Sequence, residues 1–242
     1  MIKNTLLNFI AFILIFIATI PQFAFNQSTI SEQELIGKGN PQLFGNGYKL
    51  REEAQLSFKK MQDAALKDGI SIGAISSYRS FEHQKRIWER KFKSNKAKGL
   101  SNHDNIKKII EYSTIPGTSR HHWGTDIDIY QTNVKQPKNF LLPKNYHNNG
   151  PYCKLKEWMD TNASTYGFYL VYTDNANRKG FKYEPWHFSY KALSAPYLKA
   201  YKKLNISEIL KAEGLSGIDS FTADFINKYI YQNILDINPE LL

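Results

Sequence analysis

Ser119-Arg-His-His-Trp-Gly-Thr-Asp-Ile-Asp128 is the stretch that decides the fold of this 242-residue chain, read together with Glu184-Pro-Trp-His187 further along. The two stretches offer a histidine, a carboxylate, a second histidine and a further glutamate. A hydrolytic zinc site takes three protein ligands of the His and Asp/Glu type and leaves one position open to water. The residues therefore match a catalytic zinc site that includes its own base.

The second half of the first stretch has the period of a strand. From residue 125 to residue 130 polar and apolar side chains alternate, as they do in a half-buried strand. Asp126 and Asp128 then share one face, while Ile127 and Ile129 enter the core. Both carboxylates are expected to point out of the core together.

A glycine separates the histidines from this strand. Gly124 permits a turn that could bring His121 back over the face that carries Asp128. A metal pair is geometrically reasonable, but one histidine beside one aspartate is also the ordinary pattern of a hydrogen-bonded pair. These two residues alone leave both interpretations open.

The second stretch also reads as a strand. Alternation over residues 186–190 places His187 and Ser189 on one side. Pro185 argues against a regular helix here, so this is not the helical His-Glu-x-x-His zinc motif. Glu184 is expected on the turn before the strand, where a glutamate can hold the water of a metal site without binding the metal.

Three ordered motifs carry a resemblance to a known family. Residues 119–128 resemble the Ser-x-His-x-x-Gly-x-x-x-Asp signature of the VanY-type zinc D-alanyl-D-alanine carboxypeptidases, and residues 184–187 resemble their Glu-x-x-His signature. Residues 76–84 resemble the Ser-x-Tyr-Arg-Ser-x-x-x-Gln segment of the same family. The resemblance implies an α+β fold shared with lysostaphin-type peptidases and the hedgehog signalling domain, in which a small antiparallel sheet carries the zinc and is packed by helices.

The resemblance also implies roles for particular residues. Zinc would be bound by His121, Asp128 and His187, with Glu184 as general base and acid. Arg79 matches the arginine that contacts the substrate carbonyl or its developing oxyanion, a task suited to a permanently charged fork of donors.

Several neighbouring positions receive weaker expectations. Ser119 and Gln84 match positions that help to seat the terminal portion of the peptide; a turn-stabilising hydroxyl and an exposed helix amide are the alternatives. Tyr78 and Trp186 are expected to pack beside the pocket. His122 is expected to form part of the pocket wall or to lie behind the metal ligands.

Asp126 departs from the family pattern, which most often has a small residue two positions before the metal aspartate. Asp126 is expected to hold His121 or His187 in position without binding the metal itself, or to pair with a basic neighbour. A role as ligand in place of Asp128 also stays open.

The N-terminus predicts export. Lys3, an apolar run over residues 6–20 and a small residue at Ala24 read as a signal peptide over residues 1–27, with an uncleaved anchor as the alternative. A periplasmic or cell-envelope enzyme with no stable membrane span after cleavage is expected.

The lone Cys153 excludes an intramolecular disulfide framework. The rest predicts one α+β domain, with the catalytic part over residues 28–190 and a C-terminal helical extension over residues 191–242 packed on the sheet. A separate binding module is the alternative for the C-terminal segment.

The net charge narrows the classes of binding partner but does not identify a substrate. The formal net charge is +10, but the basic residues are interspersed with acids and aromatics, which argues against nucleic acid. The basic run over residues 86–98 is predicted to be a solvated helix face. The resemblance implies removal of D-alanine from peptidoglycan stem peptides, and the enzyme is expected to be a monomer. An L,D-carboxypeptidase, a cell-wall endopeptidase and a non-catalytic wall-binding protein of the same fold remain alternatives.

Overall fold

A computed structural model describes residues 30–242 of the chain. The expected signal peptide over residues 1–27 therefore lies outside the described residues. Within the described range, none of the helices combines the length and the apolar character needed to cross a membrane.

Helices precede and follow the first strand. The long helix α2 forms because its apolar residues recur every three or four positions, and Ala54, Phe58, Met61 and Ala65 are all buried as the spacing predicts. A serine directly before a helical pattern predicts an N-cap, and the hydroxyl of Ser80 accepts a hydrogen bond from the N–H of His83 in the first turn of the helix after the strand. The elements of this half are α1 (Glu32–Leu35), α2 (Glu52–Lys67), β1 (Ile72–Ser76), α3 (Phe81–Lys96) and α4 (Asn102–Ile109).

The second half completes the sheet and adds the C-terminal helices. A short 3₁₀ turn over Arg120–Trp123 leads into the second strand. The remaining elements are β2 (Asp126–Gln131), α5 (Cys153–Asn162), β3 (Phe168–Leu170), β4 (His187–Tyr190), α6 (Lys191–Tyr201), α7 (Ile206–Lys211) and α8 (Ala223–Tyr229). Further 3₁₀ turns lie at Pro143–Tyr146, Ala163–Tyr166, Ile218–Ser220 and Pro239–Leu241, and a π-helical turn at Ile230–Ile234 follows α8.

The predicted small antiparallel sheet is confirmed. Its four strands run in the order β1-β2-β4-β3, and every neighbouring pair is antiparallel. The predicted alternation holds in both central strands: Ile127, Ile129 and Phe188 are buried in one hydrophobic cluster together with residues of α2 and α5. The side chains on the other face of these two strands are consequently available for polar interactions.

The C-terminal helices pack on other helices as well as against the edge of the sheet. They share a second hydrophobic cluster with Trp88 of α3, Ile106 of α4 and Trp123, and that cluster contains no buried side chain of the four strands. The reason is that α2 and α5 already cover the apolar face of the sheet, while the other face is polar. The extension therefore packs on α3, α4 and the 3₁₀ turn, and it reaches the sheet at its edge, where Tyr169 of β3 packs against the same cluster and Asn238 donates to the carbonyl oxygen of Leu170 at 2.9 Å. The helix α4 itself was not predicted from the sequence.

One side chain joins the C-terminal helices to the loop before the histidines. The buried hydroxyl of Tyr229 accepts a hydrogen bond from the backbone N–H of Ile115 at 3.1 Å and lies 2.8 Å from Thr118 Oγ1. The loop that enters the 3₁₀ turn is thus held from residues far along the chain.

A Tyr229→Phe change should lower the free energy of unfolding by about 1–3 kcal/mol, because it leaves the buried N–H of Ile115 without its acceptor. Denaturant unfolding of the chain from residue 28 measures this. Tyr231→Phe is the matched control: that side chain is 75% exposed, and its loss should stay within about 0.5 kcal/mol. Equal stabilities of the two variants would contradict the proposed tie.

Candidate metal centre

A cavity of about 400 Å³ opens at the polar face of the sheet. His121, Asp128, Glu184 and His187 line it together with Arg79. The two sequence stretches, more than fifty residues apart, are thus brought to one place.

His121 reaches the sheet through the turn that Gly124 permits. Ser119 caps the 3₁₀ turn, its hydroxyl accepting a hydrogen bond from the N–H of His121 at 3.3 Å. Gly124 ends the turn at a φ of 70°, and a Cβ at this position would meet Leu43 at 2.9 Å. His121 Nε2 consequently lies 3.4 Å from Asp128 Oδ2.

Strand pairing brings the second histidine to the same carboxylate. Asp128 of β2 lies directly opposite His187 of β4, and His187 Nδ1 is 3.8 Å from Asp128 Oδ1. One ligand atom from each of His121, Asp128 and His187 lies within 4.8 Å of the others, and all three residues are buried. Among the residues described, this is the group of histidine, cysteine and carboxylate side chains that could hold a metal ion.

The far nitrogens of both rings are already occupied. His121 Nδ1 lies 2.8 Å from the carbonyl oxygen of Ser77, and His187 Nε2 lies 3.0 Å from Asp126 Oδ2. Metal-binding histidines are commonly held in this way, with the nitrogen that does not bind the metal fixed by a carbonyl or a carboxylate. His121 Nε2 and His187 Nδ1 therefore face Asp128.

The carboxylate between the histidines also fits a metal. Asp128 Oδ1 is buried and has no hydrogen-bond partner among residues 30–242. A buried carboxylate oxygen without a partner is costly unless a cation or a donor completes it. Two imidazoles and one carboxylate suit zinc, and the cavity leaves room for water at a fourth position.

Asp126 lies behind His187, where it contacts a basic neighbour and a histidine ring. It is fully buried and accepts hydrogen bonds from Arg120 Nε at 2.9 Å and from the Ser189 hydroxyl at 2.7 Å. Burial alone would raise the pKa of Asp126, but the Arg120 guanidinium and His187 together hold that pKa well below its usual range. A charged Asp126 is thus paired with a basic neighbour and orients a histidine, and it lies outside the cluster of converging ligand atoms.

Glu184 lies beside the cluster on the turn before β4. Its Oε2 is 3.1 Å from His187 Nδ1, and the residue lines the cavity although it is only 7% exposed. Burial raises the pKa of Glu184, partly offset by His187. The same carboxylate and that of Asp126 raise the pKa of His187 against the effect of its burial. Glu184 can hold and move a proton next to the converging ligand atoms.

Two neutral hydrogen-bond partners fix the side chain of Arg79. Because neither partner neutralises it, the positive charge of Arg79 is available to the cavity. Its Nη1 donates to Gln84 Oε1 at 2.7 Å and its Nη2 to the Ser76 hydroxyl at 2.8 Å. Burial lowers the pKa of Arg79, while Asp128 and Glu184 counteract the shift. These contacts hold the guanidinium plane in one orientation.

Gln84 does not lie where the sequence placed it. It is fully buried and does not line the cavity, so it is neither an exposed amide nor placed to contact a peptide directly. Its Nε2 donates to the carbonyl oxygen of Thr114 at 2.8 Å while its Oε1 accepts from Arg79. The helical spacing in α3, which puts Gln84 on the same face as Phe81 and Trp88, explains the burial. Gln84 therefore positions Arg79.

The remaining expected neighbours divide between the cavity wall and the interior. Ser119 and Trp186 line the cavity, whereas Tyr78 does not. His122 is buried, with Nδ1 2.6 Å from the carbonyl oxygen of Arg79 and Nε2 accepting from the N–H of Gly117. Burial lowers the pKa of His122 to about 3. It lies behind the cavity, as a neutral ring that ties two loops together.

Sequence reasoning missed two cations of this site. Arg120 occupies a variable position of its motif, so the motif gives it no role, although a buried carboxylate such as Asp126 needs a cationic partner. Lys91 was assigned with the basic run to a solvated face, yet it is half-buried and lines the cavity. Its spacing of seven residues from Gln84 was the available signal, because residues two helical turns apart share a face.

Known proteins resemble this chain in sequence and in fold. The chain matches the family model "VanY: D-alanyl-D-alanine carboxypeptidase" over residues 47–193. A D-alanyl-D-alanine carboxypeptidase of Enterococcus faecalis (strain ATCC 700802 / V583) is 27% identical over 169 residues, which cover 69% of this chain and 58% of that protein. The chain spans about half the length of the first curated relatives it matches, at 46% and 58%.

Two solved structures are similar over most of the described residues. A vancomycin-resistance D,D-pentapeptidase VanY from a VanB-type resistance cassette, in complex with Zn(II), is 27% identical with a TM-score of 0.50, over 67% of this chain and 83% of that chain. VanYB in complex with D-alanine-D-alanine is 26% identical with a TM-score of 0.52, over 73% of this chain and 91% of that chain.

The region matched by the family model contains the whole cluster of His121, Asp128, Glu184 and His187 as well as Arg79. It also covers more than half of the chain. The chain therefore belongs to the VanY D-alanyl-D-alanine carboxypeptidase family.

Proposed function

We propose that this chain is a zinc-dependent carboxypeptidase that removes terminal D-alanine from peptidoglycan stem peptides. The observation that carries the proposal is the convergence of one atom each from His121, Asp128 and His187 within 4.8 Å, beside Glu184. The Zn(II) of the similar VanY structure and the D-alanine-D-alanine of VanYB support the metal and the substrate class.

The residues of the chain divide the reaction between them. Zinc held by the three ligands supplies Lewis-acid activation of water and of the scissile carbonyl. Glu184 accepts a proton from the attacking water and returns it to the departing amine, so one carboxylate serves both proton transfers. Its raised pKa suits a group that must be both base and acid.

Arg79 stabilises the charge that develops on the carbonyl oxygen. Its two Nη groups are each bonded to a fixed neutral partner, so the fork does not need to reorganise when the charge appears. Ser119, on the cavity wall next to His121, is proposed to contact the terminal portion of the peptide.

The proposal includes the setting of the enzyme. The chain is exported to the periplasm or cell envelope, where peptidoglycan lies, and it acts as a monomer. Residues 28–190 form the catalytic part, and residues 191–242 belong to the same domain. The second hydrophobic cluster supports the assignment to one domain, since it mixes residues of both parts.

The ligand assignment predicts the effect of removing one histidine. The chain from residue 28 should bind about one zinc ion, and His187→Ala should abolish stoichiometric binding, because a catalytic zinc site has three protein ligands. Elemental analysis of the folded protein measures this. His122→Ala should lower stability but keep the zinc, since that ring contacts loops and not the cluster. Full zinc occupancy in the His187 variant would refute the assignment.

The mechanism predicts the effect of neutralising the base. Glu184→Gln should keep zinc and fold while slowing D-alanine release by about 100- to 10,000-fold. Release is measured by mass spectrometry on pentapeptide stems, with tetrapeptides and cross-linked stems alongside, at equal zinc occupancy. Equal rates for variant and wild type would remove Glu184 from the mechanism. Activity confined to tetrapeptides or to cross-linked stems would replace the proposed specificity.

The role of Arg79 predicts a loss of rate without a loss of metal. Arg79→Lys keeps the charge but lacks the planar fork, so the rate constant kcat should fall roughly 100-fold while zinc content stays normal. Arg90→Lys, at an exposed position of the next helix, is the control and should leave the rate unchanged. If the Arg79 variant turned over at the wild-type rate, Arg79 would be a structural residue.

A further inference from the structure

A second cavity, of about 420 Å³, lies between α4, the loop from β3 to β4 and the C-terminal helices. Among the residues that the structure describes, none lines both this cavity and the metal cavity, but residues 110–114 and 179–184 border both spaces. The first residues of each segment line the second cavity, and the later ones line the metal cavity. Small-molecule sites commonly enclose about 300–1,000 Å³, so the second cavity has room for a small organic ligand.

Lysine side chains from three separate segments line this cavity. Lys107 lies on α4, Lys179 on the loop and Lys228 on α8. Among residues 30–242 none of these ammonium groups has an ion pair, and Glu111, the one carboxylate of the lining, lies 3.4 Å from Lys182 instead. Positive charges that converge without a counter-charge repel each other, so the cavity favours an anion that arrives from solution.

Contacts from the C-terminal helices hold the loop that carries Lys179. Asp236 Oδ2 accepts hydrogen bonds from the backbone N–H groups of Lys179 at 2.6 Å and Gly180 at 3.3 Å. A Cβ at Gly180 would meet the carbonyl oxygen of Gln232 at 1.7 Å, so the loop lies directly on the π-helical turn after α8. Asn233 of the same turn donates to a carbonyl oxygen at the end of α4 at 3.4 Å. Turns of this kind are rare and often lie at functional sites, and this one connects the three lysine-bearing segments.

The wall beside the lysines is partly apolar. Ile110 and Phe225 line it, and both are half-buried. The ring of Phe225 stacks on that of Tyr229, with ring centroids 6.2 Å apart, which fixes one side of the wall. The Gln232 side chain, also in the lining, offers an amide that has no hydrogen-bond partner in the described part of the chain. The cavity can therefore hold an organic group next to a charged one.

The type of cation indicates which anion fits. The planar fork of arginine matches the two oxygens of a carboxylate, whereas lysine acts as a point charge that commonly binds phosphate. A phosphate ester carries a charge of about −1.5 to −2 and three acceptor oxygens. Three ammonium groups from three segments can supply a donor to each of these oxygens, and among the residues described no arginine lines the cavity.

We propose that the second cavity binds a small organic phosphate ester. The phosphate group contacts Lys107, Lys179 and Lys228, and the organic group packs against Ile110 and Phe225. This inference goes beyond the proposed function, because the site contains none of the residues that are assigned to zinc or to the reaction. Its outcome is therefore independent of the peptidase activity.

The test compares three probes on the zinc-loaded chain from residue 28: phenyl phosphate, inorganic phosphate and phenol. Binding is followed by the NMR shifts of the backbone amides of Gly180 and Asn233, which lie in the lining. Phenyl phosphate should shift both signals and bind several-fold more tightly than inorganic phosphate, because the ring adds apolar contact. Phenol at the same concentration should shift neither. Lys107→Met should raise the dissociation constant of phenyl phosphate by roughly 10-fold, the worth of one charged hydrogen bond.

Lys108→Met is the matched control. It removes the same charge from an exposed position in the last turn of α4, outside the lining, so it shares any interaction with the helix dipole and should leave the dissociation constant unchanged. Phosphate bound at zinc would shift amides of the metal cluster and would be insensitive to Lys107→Met. Equal effects of the two substitutions, or the absence of shifts at Gly180 and Asn233, would overturn the proposal. Equal affinity for inorganic and phenyl phosphate would assign the site to free phosphate and would overturn the organic ligand.

Discussion

The pairing of β2 with β4 is the contact on which the rest of the site depends. It sets Asp128 directly across from His187 and Asp126 across from Ser189, so two carboxylates and one histidine share a buried polar face of the sheet. Side chains alternate along a strand, and a shift of one residue in this register would exchange those groups for Ile127 and Phe188. The apolar cluster on the other face therefore fixes the geometry of the metal centre.

A buried polar face is stable only if its charged groups have partners of opposite charge or hydrogen-bond partners. Arg120 neutralises Asp126, which in turn holds His187, and the carbonyl of Ser77 holds His121. These contacts occupy the ring nitrogens that face away from Asp128. The nitrogens that remain are fixed in direction before any metal binds, which lowers the cost of assembling the site.

The sequence predicted the parts that depend on local period and on motif spacing. Alternation in β2 and β4, the turn at Gly124 and the cap at Ser80 follow from neighbouring residues, and the structure has them all. In contrast, the burial of Gln84 and the position of Lys91 on the cavity wall depend on which segments pack against α3. The same holds for the C-terminal helices, whose cluster is built from segments over a hundred residues apart. Helical spacing indicates which residues share a face of α3, but it does not indicate which distant segments pack against that face.

The most direct test is a crystal structure of the zinc-loaded chain with anomalous data collected on both sides of the zinc absorption edge. One zinc peak is expected, bound by His121 Nε2, His187 Nδ1 and an Asp128 oxygen at about 2.0–2.2 Å. Glu184 should lie outside the coordination shell, and Asp126 should remain hydrogen-bonded to His187 Nε2. A zinc ion bound by Asp126, or one placed away from the β2–β4 pair, would contradict the assignment.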